Sequence, residues 1–390
     1  MKMKNPLSIY IHWPFCKAKC PYCDFNSHVR EGVDHARWRA ALLRELEYYA
    51  KKLPDREVKS VFFGGGTPSL MQARTVAELV QATGRNWQVA KDVEITLEAN
   101  PTSVEAGHFK EFRDAGVNRV SIGIQSLLPE ALTFLGRQHS VSEAMAALAL
   151  ARETFGRFNF DLIYARPGQS LEAWEAELRE ALSLAGGHLS LYQLTIEENT
   201  AFYTSHRKGA FVMPQEELAA DMYQRTQEIM QERGLPAYEI SNHASVGQES
   251  RHNLAYWRAD DVIGIGPGAH GRYNIKDENT SRRFATETIK SPERWLERVE
   301  QSGTGLIAEV ELSLRERMEE AVMMGLRLRD GIDYADWQSR TGLDLRRALS
   351  QPKLKALSEQ GFIDADEKHI KTTGAGRLLL NLITAQLLEQ

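Results

Sequence analysis

Between residues 7 and 195 the chain alternates two hydrophobic rhythms. Six short runs are β-like: LSIYIHW (7–13), VKSVFF (58–63), VEITLEAN (93–100), NRVSIGIQ (118–125), RFNFDLIY (157–164) and HLSLYQLT (188–195). Helical stretches separate them. In residues 34–53 the large side chains Trp38, Leu42, Leu46, Tyr49 and Leu53 recur at intervals of four, four, three and four, which places them on one helix face, and Asp34 can cap its start. MQARTVAELVQATG, SVEAGHFKEFRDAG and SLEAWEAELREALSLAGG carry further helical patterns, and terminal glycines can stop them. Strands alternating with helices predict an α/β fold with a parallel sheet and right-handed crossovers. Six βα units are two short of a closed barrel, so the expected architecture is an open, partial (βα)6 TIM-like barrel. In that fold chemistry gathers at the C-terminal ends of the strands.

After residue 200 the rhythm changes. PQEELAADMYQRTQEIMQERG (214–234) predicts a helix closed by Gly234, PAYEISNHA a strand, and DDVIGIGPGAHG (260–271) is a glycine-rich run. From about residue 312 the chain is mostly helical. A helix ends at Gly361, and FIDADEKHIKTT then forms a small β-wing, a winged-helix-like arrangement. This divides the chain into a partial-barrel core (1–205), a barrel extension and connecting region (206–311) and a winged-helix-like C-terminal domain (312–390).

Composition narrows the class. Hydrophobic residues at 42% and charged residues at 26% suit a soluble globular protein. A net charge of −5 gives no bulk attraction to nucleic acid or an anionic membrane. No apolar run is long enough to span a bilayer, and the basic N-terminus has too short an apolar stretch, interrupted by His12, for a signal peptide. The expected location is the cytoplasm. The C-terminal region mixes the basic RTGLDLRRALSQPKLK with the acidic EQGFIDADE, so it offers no continuous basic face, and no nucleic-acid partner is expected.

Three features carry chemistry. All three cysteines, Cys16, Cys20 and Cys23, lie in C-x3-C-x2-C spacing just after the first strand. Clustered thiols in a reducing compartment point to metal or redox chemistry. Three thiolates on a four-iron cluster would leave one iron open, whereas structural zinc would need His12 or His28 as a fourth ligand. GGGTP (64–68) directly follows the second strand, and its glycines allow a ligand close to the backbone and can offer it N–H groups. Glu98, Gln125, Arg137 and Asp161 stand at or just after later strand ends, a set suited to a zwitterionic, ribose-bearing ligand.

Together these features resemble the radical S-adenosylmethionine (SAM) superfamily, with Cys16, Cys20 and Cys23 as the signature triplet and GGGTP as the methionine-amino motif. The resemblance implies a [4Fe–4S] cluster whose open iron binds SAM and cleaves it reductively. YIHWPFCKAKCPYCDFN, FFGGGTPSL, LEANP, SIGIQS, FLGRQH and DLIYARPGQ, with the winged-helix-like tail, resemble the coproporphyrinogen dehydrogenase (HemN) family more closely. That resemblance places SAM contacts at Tyr10, Tyr22, Gly65, Gly66, Thr67, Glu98, Gln125, Arg137 and Asp161.

Two departures point away from the dehydrogenases. Phe25 stands where they place a fourth cysteine, and only a few residues precede the first strand. Both are similar to the heme chaperone (HemW) branch, as is the H-N-x-x-Y-W motif at 252–257. The resemblance implies heme binding at His252, Tyr256 and Trp257. An imidazole is a standard axial ligand for heme iron, and the aromatic rings can pack on a porphyrin. The leading expectation is therefore a heme chaperone that binds a [4Fe–4S] cluster, SAM and heme. It would hand heme to an acceptor hemoprotein, such as a membrane-associated respiratory one, with transient membrane contact, and would lack coproporphyrinogen dehydrogenase activity. The alternatives are an oxygen-independent coproporphyrinogen decarboxylase and an RNA-modifying radical SAM enzyme.

Overall fold

The computed structural model describes residues 6–276 and 281–389. The basic residues weighed above against a leader sequence lie largely outside that range. The sixteen strands described are β1 (Pro6–Trp13), β2 (Phe15–Cys16), β3 (His28–Val29), β4 (Glu57–Gly65), β5 (Gln88–Ala99), β6 (Arg119–Gln125), β7 (Arg157–Tyr164), β8 (His188–Gln193), β9 (Asn242–Ala244), β10 (Val262–Ile265), β11 (His270–Lys276), β12 (Ser281–Thr288), β13 (Leu306–Glu311), β14 (Ile332–Asp333), β15 (Ile363–Ala365) and β16 (His369–Thr372).

The six expected barrel strands are β1 and β4 to β8, parallel and in sequence order within one eleven-stranded sheet, β13-β12-β11-β10-β1-β4-β5-β6-β7-β8-β9. The sheet is open: its edges are β13 and β9. The glycine-rich run supplies what the sequence did not announce. Its Val262–Ile265 segment is a seventh parallel strand, paired with the free edge of β1, and β11 to β13 continue from it antiparallel. PAYEISNHA yields only the three-residue β9, antiparallel to β8.

Side-chain alternation sorts the two faces. On β1, Ile9, Ile11 and Trp13 are buried beneath helices, whereas Ser8, Tyr10 and His12 lie in register with Ser60, Phe62 and Gly64 of β4 on the inner face. The helix His35–Lys52 forms as its spacing predicts. The Asp34 side chain accepts from the Arg37 N–H, and Trp38, Leu42, Leu46 and Tyr49 are buried. Trp38 stacks on Trp295 and meets Trp13 and Phe15 edge-on, tying this helix to the sheet extension. Burying side chains of this size stabilises the fold by about 2–3 kcal/mol each.

The C-terminal region has its own core, built around Val322, Leu326, Ile332, Trp337, Ile370 and Ile383. Its first helix, Leu314–Gly325, begins with a capping box between Ser313 and Glu316. The three-stranded sheet β14-β16-β15 forms the wing, and the preceding helix Gln351–Glu359 gives way at Gly361, which has φ +78°. No helix among the described residues is long and apolar enough to cross a membrane.

Candidate functional site

The loop from Cys16 to His28 leaves the end of β1 and closes on itself where β2 pairs with β3. A turn from the Cys23 N–H to the Cys20 carbonyl brings those two residues round. The glycine motif is stitched against this loop. Gly66 N–H donates to the Trp13 carbonyl at 2.7 Å, Thr67 N–H to the Phe15 carbonyl at 2.9 Å and Gly65 N–H to Glu98 Oε2 at 3.2 Å. The expectation that these N–H groups are offered to a ligand therefore fails. The carbonyls of Trp13 and Phe15, just before the cysteine loop, and the carboxyl of Glu98 consume them. The approach is tight: a Cβ on Gly65, whose φ is +113°, would fall 2.6 Å from the His12 ring.

Cys16, Cys20, Cys23, Tyr22, Gly65, Gly66, Thr67, Glu98, Gln125, Arg137 and Asp161 all line one cavity of about 150 Å³ at the C-terminal ends of the strands. A second cavity of about 340 Å³ shares Tyr22, Phe25, Glu98 and Asp161 with the first and continues to Tyr192 and Glu197. Phe25 stands at the rim, 59% exposed. Of the expected SAM contacts only Tyr10 is absent from the lining. It lies behind the glycine turn, where its hydroxyl pairs with His12 Nδ1 at 2.9 Å, and a Cβ on Gly64 would fall 2.8 Å from its ring.

The sulfurs are individually placed. Thr67 Oγ1 donates to Cys16 Sγ at 3.4 Å, Arg137 Nη1 donates to Cys20 Sγ at 3.2 Å, and Ser27 Oγ lies 3.8 Å from Cys23 Sγ. Burial pushes the Cys16 and Cys23 thiols up, so binding iron would displace protons. This donor set fits a polynuclear cluster better than zinc. Among the described residues no three His, Cys, Asp or Glu side chains converge closely enough for a single ion. His12 is engaged at both ring nitrogens, by Tyr10 and by the Asn26 carbonyl, and His28 Nε2 pairs with Asn26 Oδ1. His12 is therefore not a free fourth ligand, and His28 is held through Nε2.

Around the thiols the electrostatics suit a charged, zwitterionic ligand. Burial, and then the neighbouring Asp161 charge, raises Glu98 to about 8; burial raises Asp161 to about 6. Arg119, and Arg137 at Asp161, offset the burial only in part, so the cation of an ammonium or sulfonium would be favoured there. Arg137 reaches Asn100 Oδ1 and the Gly123 carbonyl at 2.6 Å each, and its buried Nε has no partner. Gln125 ends β6 at φ +74°, a left-handed conformation that costs energy in a non-glycine residue and gathers at functional sites.

Two residues in this assembly were not singled out from sequence. Asn100 links Thr67 Oγ1 (3.2 Å) to Arg137, and its signal was a polar side chain directly after β5 in LEANP. Asn26 donates to the Pro267 and Lys290 carbonyls at 2.9 Å each, pinning the cysteine loop onto the glycine-rich run. Only the tertiary structure joins those segments.

The H-N-x-x-Y-W residues do not line this cavity. They form the helix Arg251–Trp257, capped by Ser250 and lying on the inner face of the sheet. His252 is buried, stacked on Phe62 with ring centroids 4.9 Å apart and on Tyr10 at 6.2 Å. Its Nδ1 pairs with Ser60 Oγ at 2.9 Å, Nε2 is buried without a partner, and burial lowers it to about 3. The imidazole is therefore neutral. Tyr256 packs edge-on against His252 and lines a separate cavity. Trp257 carries the Arg327 guanidinium 4.9 Å above its ring.

The Radical SAM superfamily description matches residues 10–181 and the HemN C-terminal domain residues 312–379. The chain is 38% identical to the heme chaperone HemW of Escherichia coli over 96% of each chain. It is 39% identical to mitochondrial radical S-adenosyl methionine domain-containing protein 1 of Bos taurus, over 98% of this chain and 87% of that one. The solved structure of E. coli coproporphyrinogen III oxidase HemN superposes with a TM-score of 0.81 at 24% identity, covering 98% of this chain and 90% of that one, which shows the shared fold. The chain thus belongs to the radical SAM superfamily and, within it, to the HemW family.

Proposed function

We propose that this protein is a heme chaperone on a radical SAM scaffold: it binds a [4Fe–4S] cluster and SAM at the strand-end cavity, binds heme, and passes heme to an acceptor hemoprotein. The observation that carries the reading is the count of cluster ligands in a chain similar end to end to heme chaperones. Three thiols line the cavity, and an exposed phenylalanine, Phe25, stands where the dehydrogenases place a fourth cysteine. Cys16, Cys20 and Cys23 would each hold one iron, and the bound cluster with SAM supplies one-electron reductive cleavage.

The chain's own groups do the positioning. Arg137 donates to the Cys20 sulfur, and its remaining donor can take the SAM carboxylate. Carbonyls of the glycine turn and the carboxylate of Glu98 face an ammonium. Asp161 and Gln125 suit ribose hydroxyls, and the ring of Tyr22 suits the adenine. For heme, Tyr256 is the contacting wall, with His252 and Trp257 as its support. The acceptor is a hemoprotein; delivery to a membrane-associated one would require no spanning segment in the chaperone itself.

The test is anaerobic reconstitution followed by titration with heme and incubation with an apo-hemoprotein. The reading expects a Soret band on binding and its transfer to the acceptor. It fails if the protein takes up no heme, or if it converts coproporphyrinogen at turnover when given SAM and reductant.

A further inference from the structure

A cavity of about 230 Å³ lies on the inner face of the sheet extension, between the helix Arg251–Trp257 and the C-terminal helix Leu314–Gly325. It shares no lining residue with the cavity of the cysteine loop, and Tyr256 forms part of its wall. The apolar lining comes from Tyr256, Val262, Ala321 and Met324. Its polar groups are unevenly matched. Arg272 is held by Glu320 at 2.8 Å, and Asp260 by Arg340 at 3.1 Å. These two acids are thereby spent.

Two arginines are only partly matched. Arg283 is 6% exposed, and its Nη1 makes no hydrogen bond. Its ion pair with Asp261 is long, 3.5 Å, and Arg56 holds the other oxygen of that carboxylate at 2.7 Å. Arg317 reaches only the Ser281 and Thr341 carbonyls, and its buried Nε has no partner. Burial lowers both guanidinium groups, and the nearby carboxylates, Asp261 and Glu320 at Arg283 and Glu311 at Arg317, offset this only in part. Buried guanidinium donors without partners are costly to leave unmatched. The apolar wall with cations on one side fits a flat hydrophobic molecule that carries carboxylates along one edge.

Resting on the heme-chaperone reading, we infer that this cavity is where the porphyrin is held, with Arg317 and Arg283 binding its carboxylates and Tyr256 packing against the ring. The volume is below the roughly 300–1,000 Å³ of pockets that enclose a drug-sized ligand. Only the carboxylate edge of a porphyrin is taken in, and the remainder projects, which suits a ligand that must be handed on. The inference also gives the H-N-x-x-Y-W helix a physical role. Its Tyr256 faces the ligand, while His252 braces that ring from behind.

The test compares heme with heme dimethyl ester, which keeps the iron and the ring but lacks free carboxylates. With the reconstituted full-length protein, Soret titration should show heme bound about tenfold or more tighter than the ester, the scale of a charge-assisted carboxylate contact. In Arg317→Gln that ratio should collapse to within about threefold, while Arg317→Lys restores part of it; cluster absorbance should be unchanged in both. Equal affinity of the wild-type protein for heme and ester overturns the site and leaves heme carriage standing. So does an Arg317→Gln protein that keeps the full ratio. Failure of the wild-type protein to bind heme at all overturns the functional reading and this site with it.

Discussion

Glu98 and Asp161 set a pH dependence that a single residue change can remove. Both carboxyls are raised in the folded protein, to about 8 and about 6. The folded chain therefore holds protons that the unfolded chain has released. Their contribution to stability is fully present below the ordinary carboxyl range and is lost as pH rises through about 6 and then about 8. A cationic ligand reverses the preference. SAM binding near pH 7 should release protons, and SAM affinity should rise between pH 6 and 8. Calorimetry in buffers of differing ionisation enthalpy reads the release, and Glu98→Gln should flatten the profile; proton uptake would contradict the assignment. At the cluster, Cys20→Ala should abolish the iron–sulfur absorbance and leave heme uptake largely intact, as read by anaerobic spectroscopy. Gly65→Ala combines a left-handed backbone with a Cβ 2.6 Å from His12, so urea unfolding should show a loss of about 1–3 kcal/mol together with weaker SAM binding.

Glu45 shows how elements distant in sequence hold the site together. It lies on the helix His35–Lys52 and is fully buried. It accepts from Gly266 N–H (2.8 Å), Gly305 N–H (2.6 Å) and Trp295 Nε1 (3.1 Å), although burial still raises it to about 7. Through the glycine-rich run it supports the carbonyl of Pro267, which receives Asn26 from the cysteine loop. Glu45→Ala would leave three buried donors unpaired, at about 1–3 kcal/mol each if no water replaces the carboxylate. Denaturation should show a loss of about 3 kcal/mol or more, and reconstituted cluster content should fall. An unchanged cluster content would show that the run does not brace the loop. The same elements explain what sequence could reveal. Trp38, Leu42, Leu46 and Tyr49 announce their helix because burial falls on one face at 3.6-residue spacing. The strand Val262–Ile265 stays hidden because it is four residues long, buried throughout and interrupted by Gly264, so neither periodicity marks it. The three cysteines and GGGTP were legible because their chemistry is local in the chain. The bracing by Asn26 and the partly matched Arg317 arise only where segments some 240 residues apart, or two domains, come together.

At the scale of the molecule, one sheet borders two cavities. Its parallel strands gather thiols, glycines and acids at their C-terminal ends, and its antiparallel extension forms a basic, apolar-walled cavity under the C-terminal domain. The fold is shared with a coproporphyrinogen oxidase, so architecture alone does not separate carriage from catalysis. The separation rests on the three-thiol loop with Phe25 and on the end-to-end similarity to heme chaperones. The most direct measurement gives the reconstituted protein, in parallel, heme with an apo-hemoprotein and coproporphyrinogen with SAM and reductant. The account predicts that the Soret band moves to the acceptor while coproporphyrinogen is left unconverted. Catalytic decarboxylation of coproporphyrinogen, or failure to take up heme, would contradict it.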